Sequence, residues 1–351
     1  MTTKGKILNL LEKQKDVISG QKLASFCNVS RAAVWKAVNS LRNEGINIEG
    51  TTNGGYVLRS RDTFNKKILE ELVKTEYPEL KDCTIEFFDE IDSTNSYAKR
   101  LLSEEGSIRN QSGELTEKGK KLNNMLIIAS SQSNGRGRLG RSFISKSGNG
   151  IYFSLIYCPE NGIQDAAKIT AFSAVAVYRS IKELFNLDVK IKWINDIYAD
   201  NKKICGILTE GFTNFETGTI ESSVIGIGIN IYDKIDSEIK SVAGSIQAAL
   251  DSKNETITID NVRSRLTLRI VSNLLKIFDE EYSKVIDEYR KASFLIGKKI
   301  TVIPVIGQNK SYEAKVIDID DNASLIVELE DRTRKTLVSG EISLHSNSFK
   351  Q

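Results

Sequence analysis

The stretch Gln132–Arg141 (QSNGRGRLGR) carries three glycines and three arginines between two apolar segments typical of strands, Leu126–Ser130 and Ile151–Tyr157. Glycine is favoured where the backbone must adopt a positive φ or approach a ligand closely. Arginine presents a fixed fork of donors that matches carboxylates and phosphates. The stretch therefore predicts a loop that clamps an anionic small molecule, with a flexible basic surface loop as the alternative.

Gly135, Gly137 and Gly140 also have the GxGxxG spacing of dinucleotide-binding folds. That motif needs a preceding strand and a following helix whose N-terminus receives the phosphates. The residues that follow, Arg141–Gly150, are rich in glycine, serine and asparagine and lead into a strand. The sequence therefore argues against a dinucleotide site.

A second polar cluster, Asp92–Asn95 (DSTN), ends the predicted strand Cys83–Ile91 and opens a predicted helix at Ser96–Ser103. Free backbone N–H groups beside small hydroxyl and amide side chains suit a compact polar group such as an amide or urea. An ordinary helix N-cap is the more frequent meaning of such residues, so both interpretations stay open here.

Two lysines lie at the ends of further predicted strands. Lys192 closes Val189–Trp193, which continues into Ile194–Asp196, and Lys203 lies in a turn before Ile204–Glu210. The glycines of Val224–Ile229 (VIGIGI) would let a group lie flat against the sheet.

The composition excludes several classes of mechanism. His345 is the only histidine, so HExxH zinc chemistry is impossible and a Ser-His-Asp catalytic triad is disfavoured. The four cysteines form no CxxC pair, and no apolar run approaches the roughly 18 residues of a membrane helix. We therefore expect a cytoplasmic protein without its own metal site, whose chemistry depends on orientation and on charge stabilisation by arginine and lysine.

The chain is long enough for two or three domains, and its charge is unevenly spread. Residues 1–61 carry a net charge of +6, whereas the whole chain carries +3. A basic N-terminal unit on a slightly acidic body suggests a nucleic-acid-binding module.

Within this unit, apolar spacing predicts a helix at Lys6–Gln14, a second helix capped by Ser19 with Leu23, Ala24 and Phe26 inward, and a third at Arg31–Asn43 capped by Ser30. Two strands, joined by a hairpin with Asn53-Gly54 at its tip, complete a winged helix-turn-helix. The predicted DNA-binding residues, on or beside the face of the third helix that also carries Arg42, are Ser30, Arg31, Trp35, Lys36 and Asn39. A protein-binding winged helix is the alternative.

In the body, Glu104–Asn124 lacks apolar periodicity and predicts a surface insertion, and Asp260 should cap a long helix reaching about Arg290. Short alternating segments from Lys298 onward predict a small SH3-like barrel. The expected fold class is α+β multidomain, with a winged helix at 1–61, a mixed-sheet α/β domain at 62–293 and the barrel at 294–351.

Taken in order, these motifs resemble bifunctional biotin protein ligases that double as repressors of the biotin operon. The matches are the winged helix through Arg59 and, in the body, Asp92–Asn95, Gln132, Gly135–Arg141, Lys192–Asp196, Lys203–Gly206, Gly226–Asn230 and Gly340–Leu344. The resemblance implies that the central domain has the fold shared by class II aminoacyl-tRNA synthetases and biotin ligases.

The resemblance also implies a role for each matching position. Biotin would contact Ser93, Thr94, Asn95, Gln132, Arg136, Gly137, Arg138, Lys203 and Gly206. ATP and the adenylate would contact Arg138, Arg141, Phe143, Lys192, Asn195, Asp196 and Asn230, and the catalytic residues would be Lys192, Arg136, Arg138 and Lys203.

The implied reaction joins two anions, because the biotin carboxylate attacks the α-phosphate of ATP. Cationic side chains, with Mg²⁺ bound to the triphosphate, would screen that repulsion. The implied partners are biotin, ATP, the biotin carboxyl carrier domain of a carboxylase and, for an adenylate-bound homodimer, a two-fold operator DNA, with no membrane.

Two positions depart from the family pattern. Ile194 replaces the proline of the KWPND motif, and Phe143 replaces a tryptophan that follows the arginine loop in some members. Two alternative functions stay open: a biotin sensor that has lost ligation, and a ligase for lipoate or octanoate.

Overall fold

The computed structural model describes residues 2–14, 16–43, 46–51, 54–104, 107–159, 166–213, 220–303, 311–338 and 340–344. In this part of the chain, no helix is both long enough and apolar enough to cross a membrane.

The N-terminal unit is a three-helix bundle with a two-stranded wing. Its elements are α1 (Thr3–Lys13), α2 (Gly20–Cys27), α3 (Arg31–Asn43), β1 (Ile46–Thr51) and β2 (Gly55–Arg61), with β1 and β2 antiparallel.

Both predicted caps in this unit are confirmed, since Ser19 accepts from the Lys22 N–H and Ser30 from the Ala33 N–H. The inward placement of Phe26 was wrong: its side chain is 70% exposed, because the inner stripe of α2 continues to Cys27 one turn after Leu23. Asn53 of the predicted hairpin tip lies outside the described residues.

The body is built on a seven-stranded sheet with the order β3-β4-β5-β9-β8-β7-β6. The β3–β4 pair is parallel and the other pairs are antiparallel, so the expected mixed sheet is confirmed. Its strands are β3 (Ile85–Ile91), β4 (Met125–Gln132), β5 (Gly150–Tyr157), β6 (Lys190–Lys192), β7 (Asp196–Ala199), β8 (Lys202–Thr213) and β9 (Ile220–Asn230).

Seven helices of the described chain accompany this sheet: α4 (Lys66–Thr75), α5 (Thr94–Ser103), α6 (Glu117–Leu122), α7 (Ala166–Phe185), α8 (Ile246–Asp251), α9 (Val262–Phe278) and α10 (Tyr282–Ala292). Alternate side chains of β4 enter two different apolar clusters. Leu126 and Ile128 belong to the large core with α7 and α9, whereas Met125 and Ile127 pack with Ala98 of α5. The period of two along a strand therefore separates the two faces of the sheet.

One prediction about the helices of the body was wrong. The single long helix from Asp260 is two helices, and Asn261 rather than Asp260 occupies the cap position of α9. The segment predicted as a surface insertion is anchored to the body: Ile108 and Leu122 are buried, and the guanidinium of Arg109 donates to the backbone carbonyl of Glu221. Its few apolar residues are too widely spaced to give a periodic signal.

The C-terminal unit is an antiparallel five-stranded sheet with the order β13-β12-β11-β10-β14, as expected for a small barrel. The strands are β10 (Lys299–Ile303), β11 (Tyr312–Ile319), β12 (Leu325–Glu328), β13 (Arg334–Leu337) and β14 (Glu341–Leu344). Its buried residues, including Val316 and Leu325, belong to the same apolar core as the body. His345 lies outside the described residues.

A buried ion pair joins the end of the winged helix to the body. Asp62, 1% exposed, accepts from the Arg263 Nε at 2.5 Å and from the Tyr232 hydroxyl at 2.8 Å. Burial raises the pKa of Tyr232, so its hydroxyl stays protonated and donates.

Candidate active site and DNA-binding face

A cavity of about 390 Å³ lies between the sheet, the arginine loop and the C-terminal barrel. Its volume is in the range of small-molecule sites. All nine predicted biotin-binding residues line it, as do six of the seven residues predicted for ATP and the adenylate. These residues are Ser93, Thr94, Asn95, Gln132, Arg136, Gly137, Arg138, Arg141, Phe143, Lys192, Asn195, Asp196, Lys203 and Gly206.

Asn230 is the predicted residue that the structure does not bring to the cavity. Its side-chain amide donates to the Gly244 carbonyl at 3.0 Å and is buried. Asn230 therefore fastens the loop that follows β9.

The floor of the cavity begins at the N-terminus of α5. Ser93 is the N-cap and accepts from the Ser96 N–H, so the ordinary capping interpretation holds. The backbone N–H of Thr94, the residue after the cap, donates to Gln132 Oε1 at 2.8 Å. Gln132 Nε2 in turn donates to the Ser145 hydroxyl at 2.8 Å. The cluster is thus both a helix cap and a polar surface facing the cavity.

The arginine loop is a tight hairpin over the cavity. The Gly137 N–H donates to the Arg141 carbonyl at 2.7 Å, and the Phe143 N–H donates to the Gly135 carbonyl at 2.8 Å. At its tip Gly140 has φ +74°, a region that side chains rarely adopt. The loop leads into β5 without a following helix, so the dinucleotide alternative is excluded.

Arg138 joins this hairpin to two other parts of the molecule. Its guanidinium donates to Asn195 Oδ1 at 3.1 Å and to the carbonyl of Gly340, in the C-terminal unit, at 3.4 Å. A lid formed by the hairpin is therefore fastened across the cavity by one side chain.

The turn from Lys192 to Asp196 is held by the elements behind it. The Trp193 indole N–H donates to the Ala323 carbonyl at 2.8 Å, and the Tyr289 hydroxyl donates to the Ile194 carbonyl at 3.0 Å. The Asn195 amide donates to the Ile207 carbonyl of β8 at 2.7 Å. The Trp193–Ile194 peptide bond is cis.

Lys203 and Asp196 form an ion pair of 2.7 Å at the wall of the cavity. Lys192 lies on the same wall, 5.8 Å from the ring centroid of Tyr198. Burial raises the pKa of Tyr198 to about 12, so this ring carries a neutral hydroxyl at physiological pH. With Arg136, Arg138 and Arg141, five cationic side chains line the cavity together with the carboxylate of Asp196.

Phe143 fills the space that glycines of β8 and β9 leave open. A Cβ added at Gly228 would lie 2.5 Å from the Phe143 ring, and one at Gly206 would lie 3.3 Å from it. The expectation that these glycines admit a flat group is therefore met by a side chain of this chain.

Sequence reasoning missed several residues of the site. Ile303 lines the cavity, as do Gly340 and Ile342 of the matching segment Gly340–Leu344, to which no role at the site was given, and Ser154 and Glu210 lie behind the floor. For Glu210 a signal was available in the sequence, because the period of two along β8 puts it on the same face as Leu208.

The predicted DNA-binding residues lie on or beside one face of α3. Arg31, Trp35 and Lys36 are exposed, Trp35 by 60%, and Asn39 is half-buried, while Ser30 caps the helix. Arg42, on the same face, donates from Nε to the Ile48 carbonyl of the wing at 2.7 Å and from its guanidinium to Asn39 Oδ1 at 3.3 Å.

Among the described residues, no group of three or more histidine, cysteine, aspartate or glutamate side chains is arranged to hold a metal ion.

Three family models match the chain in sequence: an HTH domain at residues 4–57, the biotin/lipoate A/B protein ligase family at 108–230 and the biotin protein ligase C-terminal domain at 295–345. The bifunctional ligase/repressor BirA of Bacillus spizizenii is 30% identical over 342 residues, which is 94% of each chain. The chain belongs to the bifunctional ligase/repressor family. The Escherichia coli protein of the same name is 28% identical over 334 residues, 93% of each chain.

A solved structure supports the fold of this ligase/repressor. The biotin protein ligase from Aquifex aeolicus, in complex with biotin and ATP, superposes with a TM-score of 0.56 at 23% identity, covering 75% of this chain and 98% of that one. The resemblance deduced from the motifs and the α+β multidomain fold class are both confirmed.

The two tryptophans of this ligase/repressor allow a matched test of the turn behind the site. Trp193→Phe removes a buried donor and leaves the Ala323 carbonyl unpaired, so we expect a loss of about 1–3 kcal/mol in the free energy of unfolding. Trp35→Phe, on the exposed face of α3, should change it by less than about 0.5 kcal/mol. Urea unfolding measures both, and equal losses would show that Trp193 does not fasten the turn.

Proposed function

We propose that this ligase/repressor activates biotin with ATP to biotinyl-5′-AMP and then transfers biotin to a lysine of a biotin carboxyl carrier domain. The observation that carries the proposal is one cavity in which a neutral polar floor adjoins a cluster of cations. Biotin has the same two-part chemistry, a ureido ring at one end and a carboxylate at the other.

The floor suits the ureido ring. Thr94 and Asn95 are 3% and 4% exposed and present oxygen and nitrogen atoms without net charge, and Gln132 lies beside them. A buried site built to hydrogen-bond polar groups rejects ligands that lack them, because its own groups would be left unpaired.

The cations suit the reacting end. Arg136, Arg138, Lys192 and Lys203 would surround the biotin carboxylate and the α-phosphate, whose mutual repulsion opposes attack. In our proposal Lys203 is oriented by Asp196 and Arg138 by Asn195, so these donors are in place before the substrates meet. Arg141 and Phe143 complete the adenylate subsite.

The donor set fits Mg²⁺ that arrives on ATP rather than a resident ion. Asp196 is the one carboxylate among the described residues lining the cavity, and it is engaged by Lys203. When bound to the triphosphate, Mg²⁺ would neutralise the phosphate charge. The task left to this chain is to exclude water, because an acyl-adenylate hydrolyses readily, and the hairpin fastened by Arg138 would do so.

We further propose that the adenylate-bound chain forms a homodimer that represses transcription at a two-fold operator. The N-terminal unit supports DNA binding through the exposed Arg31, Trp35 and Lys36, and the small face of one winged helix favours a paired site. We retain the domain boundaries 1–61, 62–293 and 294–351. A cytoplasmic location is supported by four free cysteines.

The direct test supplies the purified protein with biotin, MgATP and a carrier domain. We expect biotinyl-AMP and then carrier carrying biotin, both detected by mass spectrometry. Adenylate without transfer to the carrier would contradict the ligase and favour a sensor. Faster reaction with lipoate or octanoate than with biotin would instead assign a different acyl substrate.

Arg138→Ala should speed release of the adenylate, since it removes the fastening of the lid to Asn195 and Gly340. We expect the dissociation rate to rise by about 10²-fold, the size of effect seen when one donor to a developing charge is lost. Stopped-flow fluorescence measures this rate. Arg334→Ala, an exposed residue of β13 outside the cavity, is the control. Unchanged dissociation in Arg138→Ala would refute the role of this side chain.

Deletion of residues 1–61 should abolish operator binding while leaving adenylate formation intact, because the described part of that unit contributes no residue to the cavity lining. Electrophoretic mobility shift with a two-fold operator tests the first expectation. Sedimentation of the full chain should show a dimer with adenylate and a monomer without it. Operator binding by the truncated chain would contradict the assignment of DNA binding to residues 1–61. A full chain that stays monomeric with adenylate would contradict the proposed dimer.

A further inference from the structure

We infer that Glu210, outside the cavity, fixes the hydrogen-bond polarity of the cavity floor and thereby selects ligands that carry N–H donors. The inference rests on the proposed function, since it explains how the floor would recognise a ureido ring. Glu210 acts through Asn95 and is therefore a positioning residue.

Three neighbouring strands meet beneath Asn95. Gly226 of β9 pairs with Ser154 of β5 on one side and with Leu208 of β8 on the other. A Cβ at Gly226 would lie 2.0 Å from Asn95 Oδ1, so only glycine lets the amide rest there. The side chain of Asn95 consequently lies between β5 and β8, and Glu210 follows Leu208 on the same face of β8.

The carboxylate of Glu210 decides which way the Asn95 amide points. Asn95 Nδ2 lies 2.9 Å from Glu210 Oε2 and 3.3 Å from the Leu208 carbonyl, and Lys99 Nζ pairs with Glu210 Oε1 at 2.8 Å. An ionised carboxylate and a carbonyl only accept hydrogen bonds. The amide nitrogen must therefore face β8, and Oδ1 must face β5.

That orientation is passed to Thr94 through Ser154, which is fully buried. The Ser154 hydroxyl lies 2.6 Å from Asn95 Oδ1, an acceptor, so the single proton of this hydroxyl is committed to Asn95. Thr94 Oγ1 lies 2.7 Å from Ser154 Oγ, closer than its 3.2 Å contact with Gln132 Oε1. The Thr94 proton is then directed to Ser154.

The consequence is a floor that offers lone pairs. With their protons committed to the protein, Thr94 Oγ1 and Asn95 Oδ1 both remain acceptors towards the cavity. A ring with N–H groups donates to the remaining lone pair of each, whereas a plain acyl chain leaves these lone pairs without a donor. One carboxylate behind the site thus contributes to the choice between a ureido ligand and lipoate or octanoate.

Glu210→Gln is the first test. If the glutamine presented its oxygen to Asn95, its N–H₂ group would face the Lys99 ammonium, a donor against a donor. The glutamine oxygen therefore faces Lys99 and its N–H₂ group faces Asn95, so the Asn95 amide flips to present its oxygen. We expect KM for biotin in adenylate formation to rise about ten- to a hundredfold, with KM for ATP unchanged. Lys99→Met is the matched control, because it breaks the same ion pair but keeps the carboxylate, and KM for biotin should stay within about twofold.

An exchange of groups tests polarity rather than structure. Asn95→Asp sets two carboxylates against each other and should weaken biotin binding, whereas Asn95→Asp with Glu210→Gln restores a donor facing an acceptor. We expect the double variant to recover at least about tenfold over Asn95→Asp, short of wild type because the Leu208 carbonyl loses its donor.

The outcomes separate the two proposals. Wild type that forms no biotinyl-AMP refutes the proposed function, and the inference with it. Active wild type with an unaltered Glu210→Gln, or a double variant no better than Asn95→Asp, overturns the inference alone. If Glu210→Gln fails to fold by circular dichroism, Ser154→Ala replaces it: freeing the Thr94 proton should raise KM for biotin about tenfold, and an unchanged KM overturns the relay.

Discussion

The turn from Lys192 to Asp196 is fixed from behind, and the cations of the cavity are placed relative to it. The Trp193 indole is bonded to the C-terminal unit and the Ile194 carbonyl to Tyr289 of α10. Asn195 and Asp196 then receive Arg138 and Lys203. Long cationic side chains lose considerable rotamer entropy when they are held in one conformation. A rigid turn that supplies their hydrogen-bond acceptors therefore fixes the positions of otherwise flexible charges.

This arrangement also explains how so much like charge can gather in one cavity. Among the described residues, five cationic side chains and one carboxylate line the cavity, so the site is strongly positive without a ligand. Charges at short range repel more as water is displaced. In the proposed function, an anionic ligand would relieve that repulsion, so the electrostatic cost of assembling the site would contribute to its affinity for an adenylate.

Sequence reasoning found the parts of the site that are local. Residues close together in sequence determine a helix cap, a glycine-arginine hairpin and the lysines at strand ends. Thr94, Arg138 and Lys203 were accordingly placed correctly at the cavity. Asn230 lies away from the cavity lining because its amide turns to Gly244, which its position in a strand did not reveal. Ser154 and Glu210 were missed because their role depends on the register of three strands, and a register is set by contacts far apart in sequence.

The same geometry bears on how adenylate binding in the cavity would influence DNA binding by the N-terminal unit. From the lid, the chain runs to Asn149, whose carbonyl accepts from the Tyr232 N–H, and the Tyr232 hydroxyl donates to Asp62 at the end of the winged helix. That route ends in the buried Asp62–Arg263 pair, and breaking such a pair costs about 3–5 kcal/mol. A coupling of ordinary size, about 1–3 kcal/mol, does not rearrange this junction. In the proposed homodimer, the lid would therefore act by completing a dimer surface, which would change how two winged helices are paired while each stays fastened to its own body.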